Sequence, residues 1–219
     1  TLHNTLFPYT TLFRSLLEHC SDERALRDTV FLFISDHGEL LGDHHRFRKC
    51  VPYAGSVRVP MIACFPERYG HPQGITRHEL VELRDLMPTV LDAAGAPIPD
   101  TVDGRSLVPL AAGEQPEWRG HLHGEHWSGR ESANHYLTDG RHKFCWFSQT
   151  GVEQLFDTEA DPQERHDLID DPGHQATADR LRGLLIQELL GREEGYTDGE
   201  KLIVGRRGGP VLSHIRRPD

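Results

Sequence analysis

No two of the four cysteines, Cys20, Cys50, Cys64 and Cys145, stand three positions apart as a C-x-x-C pair, which excludes a zinc ribbon and a thioredoxin-like redox motif. Unpaired thiols fit a reducing, cytoplasmic compartment. No apolar run approaches the roughly 18 to 20 residues that cross a bilayer, and no charged start followed by an apolar stretch reads as a signal peptide. That last absence says nothing about export if native residues precede Thr1. Positive charge is also scarce: 24 Lys and Arg face 34 Asp and Glu, for a formal net charge of −10. Phosphate backbones are held mainly by Lys and Arg, so a general nucleic-acid or anionic-membrane binder is excluded, though a local basic pocket is not.

What is present is a chain of 219 residues, enough for one sizeable core with a small subdomain. Hydrophobic residues at 37% and charged residues at 26% mark a folded rather than a disordered chain. Fifteen His form a high count of groups suited to metal binding or proton transfer near neutral pH, although abundance alone assigns neither role.

Residues 1–15 (TLHNTLFPYTTLFRS) contain the near-repeat TLFPYT/TLFRS and match neither a helical nor a strand period. They resemble a translated sequencing-adapter segment and are read as non-native. Residues 16–27 have amphipathic helical spacing, with a loop at Asp28-Thr29. The five apolar residues 30–34, ending at Ser35-Asp36-His37-Gly38, predict a buried strand in a parallel sheet, and residues 59–65 predict a second. Helical spacing over 80–94 is closed by Gly95 and Pro97, with Pro88 opening a second helix. This order is the doubly wound α/β pattern. Beyond Gly104, short segments at 121–125, 135–138, 142–147 and 154–157, with Asp139-Gly140 as a hairpin signal, predict a small antiparallel sheet. A helix over 174–190 packs on it, and a polar tail follows from Arg192.

Asp36 and His37 fall at the carboxyl end of the first predicted strand, where ligands collect in open α/β sheets. A carboxylate suits calcium or magnesium, and a neutral imidazole can complete the sphere of a divalent ion. Taken alone, Asp-His-Gly reads more readily as an Asx-type turn with a surface His. Lys49 lies thirteen positions further on, among His44, His45, Arg46 and Arg48. Such a cluster beside a carboxylate-bound metal could hold a tetrahedral oxyanion, and by itself is equally a solvated basic loop. The group His121, His123, Glu125, His126 and Trp127 could line a substrate entrance, but reads first as a turn decorated with exposed His.

The stretch from Ile34 to Lys49 (ISDHGELLGDHHRFRK), then Pro52-Tyr53 and Val57-Arg58-Val59-Pro60, resembles the C-terminal active-site region of sulfatases and phosphonate monoester hydrolases of the alkaline phosphatase superfamily. Leu155-Phe156-Asp157 with Asp161-Pro162 and Asp167-Leu168 is similar to a second hallmark of that family, so the resemblance runs from Leu16 to Leu190. It implies that Asp36 and His37 are metal ligands and that Lys49 contacts the sulfate. His44 falls on a position often His in relatives, with an oxyanion contact and a structural role equally open. The implied ion is Ca2+, with Mg2+ or Mn2+ as alternatives.

The family's nucleophile, a Cys or Ser of C/S-x-P-x-R converted to formylglycine, has no counterpart here. Cys50-Val51-Pro52 begins the pattern, but Ala54 stands where Arg is required. The Asp pair of the family's first strand is missing too, and two ligands do not make a tight hard-ion site.

The resulting expectation is an α/β chain: a partial doubly wound sheet, the C-terminal part of a sulfatase/alkaline-phosphatase-like fold, followed by a small antiparallel sheet with a packed C-terminal helix. Its divisions are a non-native 1–15, an α/β portion 16–104, an α+β subdomain 105–191 and a tail 192–219. The expected activity is metal- and formylglycine-dependent hydrolysis of a small-molecule or carbohydrate sulfate ester, with this chain inactive alone. A phosphonate or phosphate ester hydrolase and a non-catalytic module binding sulfated ligands are the alternatives.

Overall fold

The computed structural model describes residues 8–22, 28–127 and 133–206. They form two compact units interleaved along the chain, one from the described residues up to Ser35 with Pro60–Arg77 and Val81–Glu117, the other from Asp36–Val59, His78–Leu80 and the described residues from Trp118 onward.

The first unit holds helix α1 (Pro8–Asp22), strand β1 (Phe31–Ile34), strand β2 (Met61–Cys64), helix α3 (Leu86–Ala93) and the single turn α4 (Val108–Ala111). Helix α1 begins inside the segment read as non-native, and covers residues for which no helical period was expected. Part of the expected helix over 16–27 lies outside the described residues. β1 and β2 pair antiparallel, Phe31 with Cys64 and Ile34 with Met61, which corrects the expected parallel arrangement. A parallel pair usually needs a crossover helix; residues 35–60 instead supply a 3-10 turn at Asp43–His45 and the one-turn helix α2 (Ala54–Val57). Nor are these strands fully covered: Phe33 is 38% and Ile62 59% exposed.

Residues 80–82 precede rather than join the next helix, which starts through a 3-10 turn at Leu83–Asp85. Asp85 is fully buried and is satisfied by Glu82 N at 2.9 Å and Arg105 N at 2.8 Å. Pro88 sits in the first turn of α3, where its missing N–H costs nothing, so it does not open a second helix. Gly95 ends α3 with φ 68°, as its C-cap role requires.

The second unit is built on a four-stranded antiparallel sheet in the order β3 (Leu122–His126), β4 (Asn134–Thr138), β5 (His142–Phe147), β6 (Glu153–Asp157). Side chains alternate faces along a strand, so the register sorts them. Leu137 and Phe144 stand opposite each other on one face, with Trp146 and Leu155 beside them. Helix α5 (Gln175–Leu189) covers that face with Ala178, Leu181, Leu185 and Leu189, each at most 1% exposed. This i, i+3, i+7, i+11 spacing is the apolar stripe of a helix with one buried side. On the other face, Cys145 and Phe156 pack with Leu40, Val51 and Tyr53. The central strand β5 is therefore buried on both sides, and segment 38–57 is laid on the sheet opposite α5. After α5, residues 192–206 are packed rather than extended. Tyr196 is 3% exposed in the helix-side core, and Gly205 N donates to Ser148 O at 2.8 Å.

Candidate active site

Residues 36–57 carry all four side chains singled out for chemistry. The segment closes on itself through Leu40 N to Arg48 O (2.9 Å) and Gly42 N to Arg46 O (2.9 Å), while the Glu39 carboxylate accepts from the Arg48 amide. The chain just after Asp36-His37 is thereby brought against the residue preceding Lys49. At Gly38 a Cβ would stand 2.1 Å from Gly55 O, so glycine is required by the close approach that lets Gly38 N donate to Ser56 O at 2.8 Å.

Five non-glycine residues of this loop have positive φ: Leu41 (51°), His44 (51°), His45 (57°), Arg48 (70°) and Cys50 (79°). Each left-handed residue costs roughly 1 kcal/mol or more, and strain of this kind persists only where the surroundings over-determine it. Here the sheet does so. Asn134 Nδ2 donates to Cys50 O (3.2 Å), Lys143 Nζ to Pro52 O (3.0 Å), Tyr53 Oη to Gln154 Oε1 (2.9 Å) and Ala54 N to Glu164 Oε2 (2.7 Å). Burial pushes the Tyr53 phenol above its ordinary pKa, which keeps it a neutral donor.

The Asp36 side chain is exposed and that of His37 is half-exposed. His37 Nδ1 lies 2.8 Å from Gly38 O. A carbonyl only accepts, so Nδ1 is the donor there, and in the neutral ring the lone pair lies on Nε2. Nε2 stands 3.5 Å from Asp36 Oδ2. Two oxygen or nitrogen ligands at right angles on an ion with bonds of about 2.4 Å would lie about 3.4 Å apart. This pair therefore fits as two adjacent ligands of one divalent ion, with the second His nitrogen fixed by a backbone carbonyl as metal-binding imidazoles commonly are. Lys49 is exposed, between the strained residues Arg48 and Cys50. The His44 ring stacks on Tyr53 at 3.9 Å and 6°, a packing role that the sequence left open beside an oxyanion contact.

Residues 121–125, expected as a strand of the small antiparallel sheet, form β3 at 122–126, which corrects only the reading of the polar group at 121–127 as a turn decorated with exposed His. His123 and Glu125 point to the α5 face, where they meet His135 of β4. His123 Nε2 is 3.1 Å from His135 Nδ1, which is 3.3 Å from Glu125 Oε2. His135 was not singled out as a site residue, although both 121–125 and 135–138 were expected to be strands of this sheet. Gly124 between them faces the other way, under the Tyr136 ring, where a Cβ would fall 2.2 Å from that ring.

Residues 42–190 match the sequence profile of a family described as N-sulphoglucosamine sulphohydrolase, C-terminal. The chain is 49% identical over 199 residues to an arylsulfatase of Clostridium perfringens, a match covering 90% of this chain and 40% of that protein. It is 34% identical over 165 residues to the multifunctional alkaline phosphatase superfamily protein PehA of Trinickia caryophylli, covering 68% and 32%. Two solved structures superpose well. A 2-O GAG sulfatase gives a TM-score of 0.75 at 25% identity, over 93% of this chain and 47% of that one. The phosphonate monoester hydrolase of Silicibacter pomeroyi gives 0.73 at 29%, over 82% and 38%. The chain thus spans less than half the length of these relatives.

Fold and relatives together define the class: the chain falls in the alkaline phosphatase superfamily. Within it, the chain belongs to the sulfatases, in the N-sulphoglucosamine sulphohydrolase C-terminal family.

Proposed function

We propose that this chain supplies the C-terminal half of the active site of a sulfuric ester hydrolase acting on a small-molecule or carbohydrate sulfate ester. The observation that carries the reading is 49% identity to an arylsulfatase across 90% of the chain. The superposition on a 2-O GAG sulfatase at 25% identity supports the carbohydrate part of this substrate class.

In this reading Asp36 and His37 are two ligands of a divalent ion, Ca2+ foremost and Mg2+ or Mn2+ as alternatives. The bound ion would polarise the sulfuryl oxygens and lower the pKa of the attacking hydroxyl. The attacking group, a formylglycine hydrate, belongs to sequence outside these residues. Lys49 Nζ meets the sulfate as a point charge and offsets the negative charge on the transferring group. Gly38 O, by accepting from His37 Nδ1, orients the ring with Nε2 toward Asp36. His44 either touches the oxyanion or serves only to pack on Tyr53.

The phosphonate ester alternative is favoured by one observation, the 0.73 TM-score to a phosphonate monoester hydrolase. Turnover of an aryl sulfate and an aryl phosphonate by the longer protein containing this chain, each with and without Ca2+ after chelation, separates the two. Metal-dependent sulfate hydrolysis exceeding phosphonate hydrolysis in kcat/KM is expected, with no turnover by residues 1–219 alone. The reverse preference would overturn the sulfatase reading, and turnover of neither ester by the longer protein would favour a non-catalytic module binding sulfated ligands.

A further inference from the structure

The face of the second unit's sheet that packs against α5 carries, at its β3–β4 edge, a group of side chains that the sulfatase reading leaves unused. The face opposite bears segment 38–57. His123 and Glu125 alternate on β3, and His135 is the direct cross-strand partner of Glu125. Their ligand atoms all lie within 4.8 Å of one another.

We propose that His123, Glu125 and His135 form a binding site for one borderline transition-metal dication of the Zn2+ type, with the remaining position open to water. Three observations carry this. The first is spacing: ligands about 2.0–2.1 Å from a tetrahedral zinc stand about 3.4 Å apart, and His135 Nδ1 lies 3.1 Å from His123 Nε2 and 3.3 Å from Glu125 Oε2, with all three atoms within 4.8 Å of one another. The second is the proton count. A neutral imidazole has one N–H and a carboxylate has none. If His135 Nδ1 carries its proton, both His123 Nε2 and Glu125 Oε2 aim lone pairs at that one point. A dication taking the place of this hydrogen bond meets the lone pairs of His123 Nε2 and Glu125 Oε2, and gains that of His135 Nδ1 when its proton leaves to solvent and the neutral ring carries one on Nε2 instead.

The third is the surrounding shell. Metal ligands are commonly oriented by outer partners. Arg192 grips both Glu125 oxygens, at 2.7 Å and 3.1 Å, and is itself paired with Glu194 at 2.9 Å. His135 is locked between Trp146 (centroids 5.4 Å apart) and Tyr196 (4.7 Å), and its side chain is 4% exposed. Glu125, 42% exposed, leaves an entry from solvent. Two carboxylates, Glu125 and Glu194, face the single guanidinium of Arg192, so the group has a negative balance that a dication would offset. The ion would join β3 to β4 and, through Arg192, to the segment that follows α5.

The test uses the 219-residue chain, stripped with chelator and titrated with Co2+ and with Zn2+. One equivalent of Co2+ giving the strong visible absorption of a tetrahedral site is expected, displaced by Zn2+, together with a Zn2+-dependent rise in Tm. His123→Gln and Glu125→Gln each weaken Co2+ binding at least tenfold and abolish the rise in Tm. Asp36→Ala with His37→Ala leaves both readouts intact. Because His135 is packed in the core, the two β3 variants carry the decision if His135→Asn fails to fold. Unchanged Co2+ binding in His123→Gln and Glu125→Gln, or loss of the tetrahedral spectrum only in the Asp36/His37 variant, overturns the proposal, as does the absence of any tetrahedral spectrum.

Discussion

Lys143 and Glu164 form a buried ion pair whose two members grip successive parts of the candidate-site loop: Lys143 Nζ donates to Pro52 O and Glu164 Oε2 accepts from Ala54 N. Their side chains are 7% and 0% exposed. A charge stranded by removing its partner at such depth costs about 3–5 kcal/mol. Glu164→Ala is therefore expected to destabilise the second unit by that amount, and also to release the Ala54 amide. Urea unfolding measures the first effect. Hydrogen exchange measures the second, with Ala54 losing protection before the β5 amides do.

The strained turn gives a second expectation. A methyl at position 38 would collide with Gly55 O, a backbone atom that cannot rotate away. Gly38→Ala should displace Gly38 N from Ser56 O and disturb the neighbouring His37 ring, whose Nδ1 is fixed by Gly38 O. A loss of about 1–3 kcal/mol is expected from overpacking, read by thermal unfolding. In the longer protein, metal affinity should fall more than the stability of α5, because α5 packs on the other face of the sheet.

How far these features could be read from the sequence follows from the range of the forces involved. The stripe Ala178, Leu181, Leu185, Leu189 is local, and it located α5 to within a residue at each end. The apolar run at 30–34 located a strand, but its neighbour's direction depends on the shape of the 35–60 connection, which no local pattern encodes. Asp36, His37 and Lys49 were singled out through family resemblance rather than periodicity. Glu164 was invisible: it sits in a polar, turn-rich stretch with φ 55°, and only a partner 21 positions earlier explains its burial. His135 was missed for the same reason, since its role appears only when β3 is laid beside β4.

Asp157, at the end of β6, gives a pH dependence. Hydrogen bonds from Arg141, at 2.8 Å and 3.1 Å, and from the backbone amides of Ala160 and Glu159 hold its pKa down, from 3.8 to about 2. His142 Nε2 also lies within 3.9 Å, and Glu159 shares Arg141. A depressed carboxylate stabilises the folded state fully above its unfolded pKa, and the contribution fades as pH falls through the folded value. Asp157→Asn should therefore lower stability by a constant amount above about pH 5, and the deficit should shrink between about pH 4 and pH 2. Urea midpoints of both proteins across pH 2–7 test this; a deficit that grows with acid would contradict the assigned ion pair.

Lys49 separates charge from shape at the proposed sulfate contact. It is exposed and held in its loop by backbone hydrogen bonds at 40–48 and 42–46, so Lys49→Ala should leave folding nearly unchanged, within about 0.5 kcal/mol for an exposed position. In the longer protein the same change removes a cation that meets charge developing on the transferring group. By analogy with removal of a single transition-state donor, kcat/KM should fall on the order of 100-fold. Lys49→Arg keeps the charge but replaces a compact ammonium with a planar fork, and should recover only part of the loss. A KM increase with unchanged kcat would mean that the ammonium binds ground and transition states equally, whereas no change in either constant would remove Lys49 from the site.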